Sequence, residues 1–440
     1  MAVSQSAVEA ARGAEAMSPL RRLRAILGGS AGNLVEWYDW FAYSSTSLYF
    51  ASHFFPKGDA VAQQLQTAAI FAAGFVMRPI GAWLMGVYAD RAGRRAALTL
   101  SVALMSLGSF AIAVLPTYAQ IGVTAQLGLL LARLVQGLSL GGEYGASATY
   151  MSEMAGRRHR GFWSSFQYTS LIGGQVAALL VLVLIQHTLS KAALEAWGWR
   201  IPFAVGGVLA IVVFWMRLGL EETRAYLAET LASAQRGRTL TLLREHPREF
   251  AIILALTAAG SLSFYAYTTY MQKFLVNTAG FSKDAGTAIM LGVLVLYMLI
   301  QPAVGWLSDQ VGRRTTMAVG LGLGALATYP VMTAISHTHA AAAAFGLVMI
   351  LALCHSGYAA VNAVIKAELF PAHVRALGVS LPYALGNAVF GGTAEYVAEW
   401  LKKAGVESGF YVYVAVVMLA GALTAARLRD TNVTSLIEGD

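Results

Sequence analysis

Charged residues are scarce in this chain, and several lie inside long apolar runs. Glu36, Asp39, Arg78 and Arg133 are the deepest of them. At about 1.5 Å of rise per helical residue, Arg78 stands roughly 18 Å from the loop at Asp90. Glu36 and Asp39 lie at a similar depth beyond Arg24, and Arg133 is near the middle of its own run. Two cations and two anions therefore share one depth. An ionisable group inside a bilayer is costly unless paired or hydrated, so each is a candidate for transport chemistry. A guanidinium can hold a carboxylate through two parallel hydrogen bonds. Arg78 precedes Pro79, which frees a backbone carbonyl one turn back. It is the first candidate for a substrate carboxylate, against the alternative of a static pair with Glu36 or Asp39. Arg133 can pair with Asp39. A carboxylate held by an arginine stays ionised; once substrate draws the arginine away it takes up a proton, and the two bindings become linked. Asp39, Glu143 and Glu36 are the candidate proton carriers.

Other polar groups are weaker candidates. Arg200, at the start of the sixth run, could recruit anions, and Lys273, near the end of the seventh, could snorkel or touch substrate. The hydroxyls of Tyr43, Tyr267 and Tyr270 could donate to a carboxylate or keto oxygen, although most tyrosines in such runs serve packing. Lys366 and Glu395 are as readily structural as functional. His355, the histidine well inside a run, reads as a satisfied helix-facing side chain. No metal-ligand spacing, nucleophile elbow or phosphate loop is present, so no enzyme activity and no resident cofactor is expected.

These residues need a scaffold that buries them. Of 440 residues, 57% are hydrophobic and 12% charged, against roughly 25% charged in soluble domains. That balance excludes an ordinary soluble enzyme, a disordered chain and a nucleic-acid binder. Twelve apolar runs are long enough to span a bilayer, near 25–52, 65–88, 97–115, 122–146, 162–187, 201–218, 249–275, 286–308, 316–335, 341–364, 377–400 and 409–427. Barrel strands are far shorter and alternate in polarity. The single cysteine, Cys354, excludes an internal disulfide. Arginines crowd one set of loops, while the other set carries Lys57, Lys191, Lys283, Lys402 and Lys403. That asymmetry predicts both termini in the cytoplasm and accounts for the net charge of +8 without an anionic partner.

The chain also repeats itself. Gly86-x-x-x-Asp90-x-x-Gly93-Arg94-Arg95 recurs 219 residues later as Gly305-x-x-x-Asp309-x-x-Gly312-Arg313-Arg314. Glu153 with Arg160 recurs 215 residues later as Glu368 with Arg375. Two pairs at nearly one offset imply duplicated six-helix units, 1–218 and 248–440, joined by a polar cytoplasmic linker at 219–247. Arg78-Pro79 has Gln301-Pro302 as its counterpart. The loop charges could enforce topology alone, but topology needs no carboxylates. Asp90, Arg94, Arg95, Glu153, Arg160, Asp309, Arg313, Arg314, Glu368 and Arg375 are therefore expected to latch the cytoplasmic side.

The Asp90 loop resembles the signature of the major facilitator superfamily, as does Arg133-Leu-Val-Gln-Gly137. Gly32-Asn-Leu-Val-Glu-Trp-Tyr-Asp39 is narrower and resembles the metabolite:proton symporter family, with support from Gly141-Gly-Glu-Tyr-Gly145, Trp197–Phe203, Thr269–Lys273, Lys366–Pro371 and Gly391–Tyr396. The resemblance runs from about Gly32 to Tyr413. It departs at Ala92, where members often carry a basic residue or His, so no role is carried over to that position. It implies an all-α membrane protein of twelve transmembrane helices in two six-helix pseudo-repeats, both termini in the cytoplasm, working as a monomer in a bacterial inner membrane. It further implies proton-coupled import of a dicarboxylate, 2-oxoglutarate first, with citrate, shikimate or a zwitterion such as proline or betaine as the alternative. A first-span carboxylate and a fourth-span arginine–acid pair, here Asp39, Arg133 and Glu143, are implied in proton coupling.

Overall fold

The computed structural model describes residues 19–437 apart from 57–58, 93, 142–143, 145–147, 149–150, 153–154, 156 and 219–238, and leaves out the side chains of 19–32, 86–99, 157, 216–218, 239–241, 372–373 and 376. The side chains of Asp90, Arg94, Arg95, Glu143 and Glu153, and most of the expected linker, thus lie outside the described residues.

Among the described residues twelve long helical segments follow one another: α1 Pro19–Phe54, α2 Ala60–Ala92, α3 Arg94–Val114, α4 Val123–Leu140, α5 Arg160–Thr188, α6 Ile201–Leu218, α7 Pro247–Asn277, α8 Lys283–Val311, α9 Arg313–Ser336, α10 Ala341–Glu368, α11 372–403 and α12 Ser408–Ala426. Each overlaps one expected run. Among the described residues nine of them contain a window apolar enough to cross a membrane, and α3 adds the shorter stretch Leu100–Val114. α1 and α11 are the polar ones, carrying Glu36 and Asp39, and Glu395 and Glu399.

Proline stays inside α2, α8, α9 and α11 as Pro79, Pro302, Pro330 and Pro382. Neighbouring helices make this tolerable in apolar surroundings. Two stretches widen to π-helix, Tyr265–Tyr270 in α7 and Asn387–Gly391 in α11; such bulges often mark functional positions. Gly312, at φ +92°, makes the turn from α8 into α9, a conformation that only glycine adopts without strain. That explains the glycine of the repeated loop.

Within the first six helices α1 packs on α5, α3 on α6 and α2 on α4; within the last six α7 packs on α12, α9 on α10 and α12, and α7 on α11. Between the groups, α5 lies against α8 and α2 against α11. Six helices further on, α5 and α8 become α11 and α2, so one packing motif is used twice. Large apolar side chains such as Trp83, Leu131, Trp215, Leu299 and Leu326 point outward. Polar and charged groups, including Asp39, Arg133, Gln136 and Glu368, are buried. This inversion suits a hydrocarbon surrounding.

Candidate functional site

One face of α1 assembles the centre. Asn33, Glu36, Trp37, Trp40, Tyr43 and Ser44 recur at spacings of three and four, which places them along one stripe, and all are buried. Arg78 of α2 sets its guanidinium carbon 4.1 Å from the Trp40 ring, 4.1 Å from Phe75 and 5.0 Å from Trp37. Arg133 of α4 lies 3.9 Å from the same Trp40 and 4.5 Å from Tyr43. A desolvated cation over an aromatic face gains up to about 2 kcal/mol, which helps hold two buried guanidiniums in one region. Close crossing of α2 and α4 makes this possible: a Cβ on Gly137 would stand 2.0 Å from the Gly74 carbonyl oxygen.

Both arginines keep an open edge. Nε and Nη2 of Arg78, and the same two atoms of Arg133, have no hydrogen-bond partner among the described residues. Those atoms form the side-on fork that fits a carboxylate. Beside Arg78 is a cavity of about 20 Å³ lined by Asn33, Glu36, Trp37, Tyr144 and Tyr383 among others, room for about one water. The Tyr144 and Tyr383 rings, from different six-helix groups, stack at 3.5 Å beside it. An organic diacid enters only when these helices part.

Asp39 sits in a second, connected network. Ser109 donates to its Oδ1, and Gln136 Nε2 donates to its Oδ2 at 3.2 Å. The same Nε2 reaches Ser109 at 2.8 Å. Arg133 Nη1 donates to Gln136 Oε1 at 2.7 Å. The direct Arg133–Asp39 pair expected from sequence is thus relayed through Gln136, one helical turn from Arg133.

Other candidates lie elsewhere. Arg200 donates to the carbonyls of Ala113 and Leu115 at 2.9 and 2.8 Å, fastening the end of α3. Lys273 does not snorkel: it is 1% exposed, bonded to Glu395 and to Ser44 of α1. Tyr43 donates to the Thr67 carbonyl at 3.0 Å. The Tyr267 hydroxyl meets Thr328 at 2.6 Å, and Tyr270 donates to Glu407 at 3.4 Å, both away from Arg78. His355 bridges the Tyr297 hydroxyl and the Gly260 carbonyl.

At one end of the bundle the loop charges join the two groups. Asp309 accepts from the backbone N–H of Gly161 at 2.8 Å and of Phe162 at 3.0 Å, at the start of α5, where the helix dipole favours an anion. Arg160 reaches Glu368 at 3.4 Å, and Arg313 pairs with Glu368 and, at 3.6 Å, with Asp309. Arg314 is exposed, and Arg375 binds the Leu436 carbonyl at 2.7 Å. Sequence reasoning missed this last strap: Ser435 accepts from Arg160 and Leu436 N–H donates to the backbone carbonyl of Glu368. It also missed Tyr144, Trp40 and Glu399, and did not set Tyr383 apart from the other tyrosines inside the runs. Their only sequence signal was a polar or aromatic type inside an apolar run.

The chain belongs to the sugar (and other) transporter family, which it matches over residues 25–240 and 229–438. It is 53% identical to the alpha-ketoglutarate permease of Escherichia coli (strain K12) across 93% of this chain and 94% of that protein. It is 34% identical to the citrate-proton symporter of Klebsiella pneumoniae across 84% of this chain and 83% of that protein. Its fold matches a crystal structure of a D-xylose-proton symporter with a TM-score of 0.74 at 20% identity, over 92% of this chain and 98% of that one. The protein is a multi-pass membrane transporter of the twelve-helix major facilitator fold, and not an enzyme.

Proposed function

We propose that this chain is a proton-coupled symporter that imports 2-oxoglutarate by alternating access. The observation that carries the reading is the pair of open Nε–Nη2 forks on Arg78 and Arg133, bracketing Trp40 at the centre. Two carboxylates need two such forks, and the relative named for alpha-ketoglutarate lends direct support. The units 1–218 and 248–440 rock about this centre, with 219–247 as a cytoplasmic linker. The Asp309, Arg160, Arg313 and Glu368 cluster closes the cytoplasmic end, both termini lying on that side, in a bacterial inner membrane. When a substrate carboxylate engages Arg133, the guanidinium loosens from Gln136, and Asp39 becomes free to accept a proton. Glu36, beside Arg78, and Glu143 remain further proton candidates. The protein works as a monomer in the lipid bilayer, takes a small diacid and a proton, and needs no resident cofactor, metal or nucleic acid.

Uptake of labelled 2-oxoglutarate into proteoliposomes under an imposed inward proton gradient tests this. Gradient-stimulated uptake, blocked by unlabelled 2-oxoglutarate but not by proline or shikimate, is expected. Uptake indifferent to the gradient would remove the proton roles. A block by citrate at equal strength would shift the substrate to the class named for the second relative.

A further inference from the structure

Glu399 is 1% exposed, and neither carboxylate oxygen has a hydrogen-bond partner among the described residues. It stands one helical turn beyond Glu395 on α11, on the same face. Glu395 is already taken by Lys273 of α7 and Ser44 of α1. On the outer side, Glu407 accepts from Thr278 at 2.6 Å and from Tyr270 at 3.4 Å, and faces Lys402 at 3.7 Å. Lys402 also donates to the Asn277 carbonyl at 2.9 Å. Glu407 and Lys402 are partly exposed and both act electrostatically on Glu399, which makes them its candidate cover at the end of the bundle opposite the Asp309 latch. Tyr43 of α1 and Tyr411 of α12 are further titratable groups around this cluster. Arg78, the first charged residue along α2, is level with Tyr383, about four turns of α11 away.

The charge count is decisive. Lys402 balances Glu407, and Lys273 balances Glu395; nothing balances Glu399. A buried carboxylate without a donor does not stay ionised. One proton on Glu399 makes the cluster neutral.

We propose that Glu399 is a proton-binding site of the transport cycle, loaded when the Lys402–Glu407 cover is open. This rests on the reading of the chain as a proton symporter. With the cover open, water reaches Glu399 and the carboxylate is ionised. A hydronium ion gives it a proton, an O–H bond forms, and the cover closes over a neutral acid. When the halves part at the other end, water entering past the centre reaches the cluster, and Glu399 returns its proton to water. The cover cannot close over the ionised form, so closure and proton uptake are linked.

Glu399→Gln, reconstituted beside wild type, tests this with labelled 2-oxoglutarate. Wild type that ignores the gradient sinks the symport reading, and the proton role of Glu399 with it. Given a responsive wild type, the Gln variant should drop to the no-gradient level of accumulation, while counterflow, which needs no net proton movement, falls far less. Glu399→Asp, which restores an acid, should recover gradient-driven accumulation with a displaced pH profile. Gradient-driven accumulation by the Gln variant equal to wild type overturns the proposal. So does equal loss of accumulation and counterflow in both variants, which marks a packing role. If Gln does not fold, the Asp variant decides alone: an unchanged pH profile overturns the proposal.

Discussion

Arg160 of α5 reaches Glu368 of α10 at 3.4 Å, and Arg313 of α9 holds the same carboxylate, so one buried anion ties the two six-helix groups together. Removing one member of a buried pair costs about 3–5 kcal/mol, because its partners stay buried and unmatched. Glu368→Gln should therefore favour the form open at this end by roughly a hundredfold to a few thousandfold, a tenfold change corresponding to about 1.4 kcal/mol. Spin labels placed across this end, on α5 and α9, should report longer distances in the variant. Unchanged distances would mean the cluster only decorates a closure made by apolar packing.

The strap at 435–437 gives a related expectation. Ser435 and Leu436 close over Arg160, Glu368 and Arg375. Deleting residues 435–440 should shift the same spin-label distances toward the open form, by less than Glu368→Gln, since the lost hydrogen bonds are worth about 1 kcal/mol each. A shift as large as that of Glu368→Gln would make the strap, rather than the carboxylate, the main fastening.

The helices and their order were legible in the sequence because each span must be apolar over its full length, and length in a bilayer is a strong constraint. The repeated loops were legible because glycine at Gly312 and the carboxylate of Asp309 have backbone roles that tolerate few replacements. The partners of each charge were not. Which side chain meets Arg133 depends on how α1, α3 and α4 cross, and Gln136 gained its place between Arg133 and Asp39 from that crossing. Lys273 and Arg200 looked alike as cations near span ends, yet one is paired inside and the other caps carbonyls. Glu399 lay within an expected span and escaped notice because a carboxylate near a helix end normally faces water.

Close packing of α2 on α4 yields a stability prediction. A methyl group at Gly137 would come within 2.0 Å of the Gly74 carbonyl oxygen, and at Gly141 within 2.2 Å of that of Arg78. Gly137→Ala must push the helices apart, with an overpacking cost of about 1–3 kcal/mol. Its melting temperature in detergent should fall, and 2-oxoglutarate affinity with it, because Arg78 and Arg133 lose their shared Trp40. Gly346, whose Cβ would meet nothing within 4 Å, is the control: Gly346→Ala should leave both unchanged.

Arg78 offers the sharpest test of substrate recognition, because its charge and its geometry can be separated. Arg78→Gln removes the cation, and Arg78→Lys keeps it but loses the Nε–Nη2 fork. Charge-assisted hydrogen bonds contribute about 1.5–3 kcal/mol each. Losing two should weaken 2-oxoglutarate binding by roughly a hundredfold or more in the Gln variant, as measured by isothermal titration calorimetry on purified protein. Lys offers a point charge from a compact ammonium and restores little where a planar fork is required. If Lys recovers most of the affinity, Arg78 acts through its field alone and the diacid is held elsewhere. If neither variant changes affinity, Arg78 is a structural partner of Trp37, Trp40 and Phe75, and the first carboxylate must be sought at Arg133.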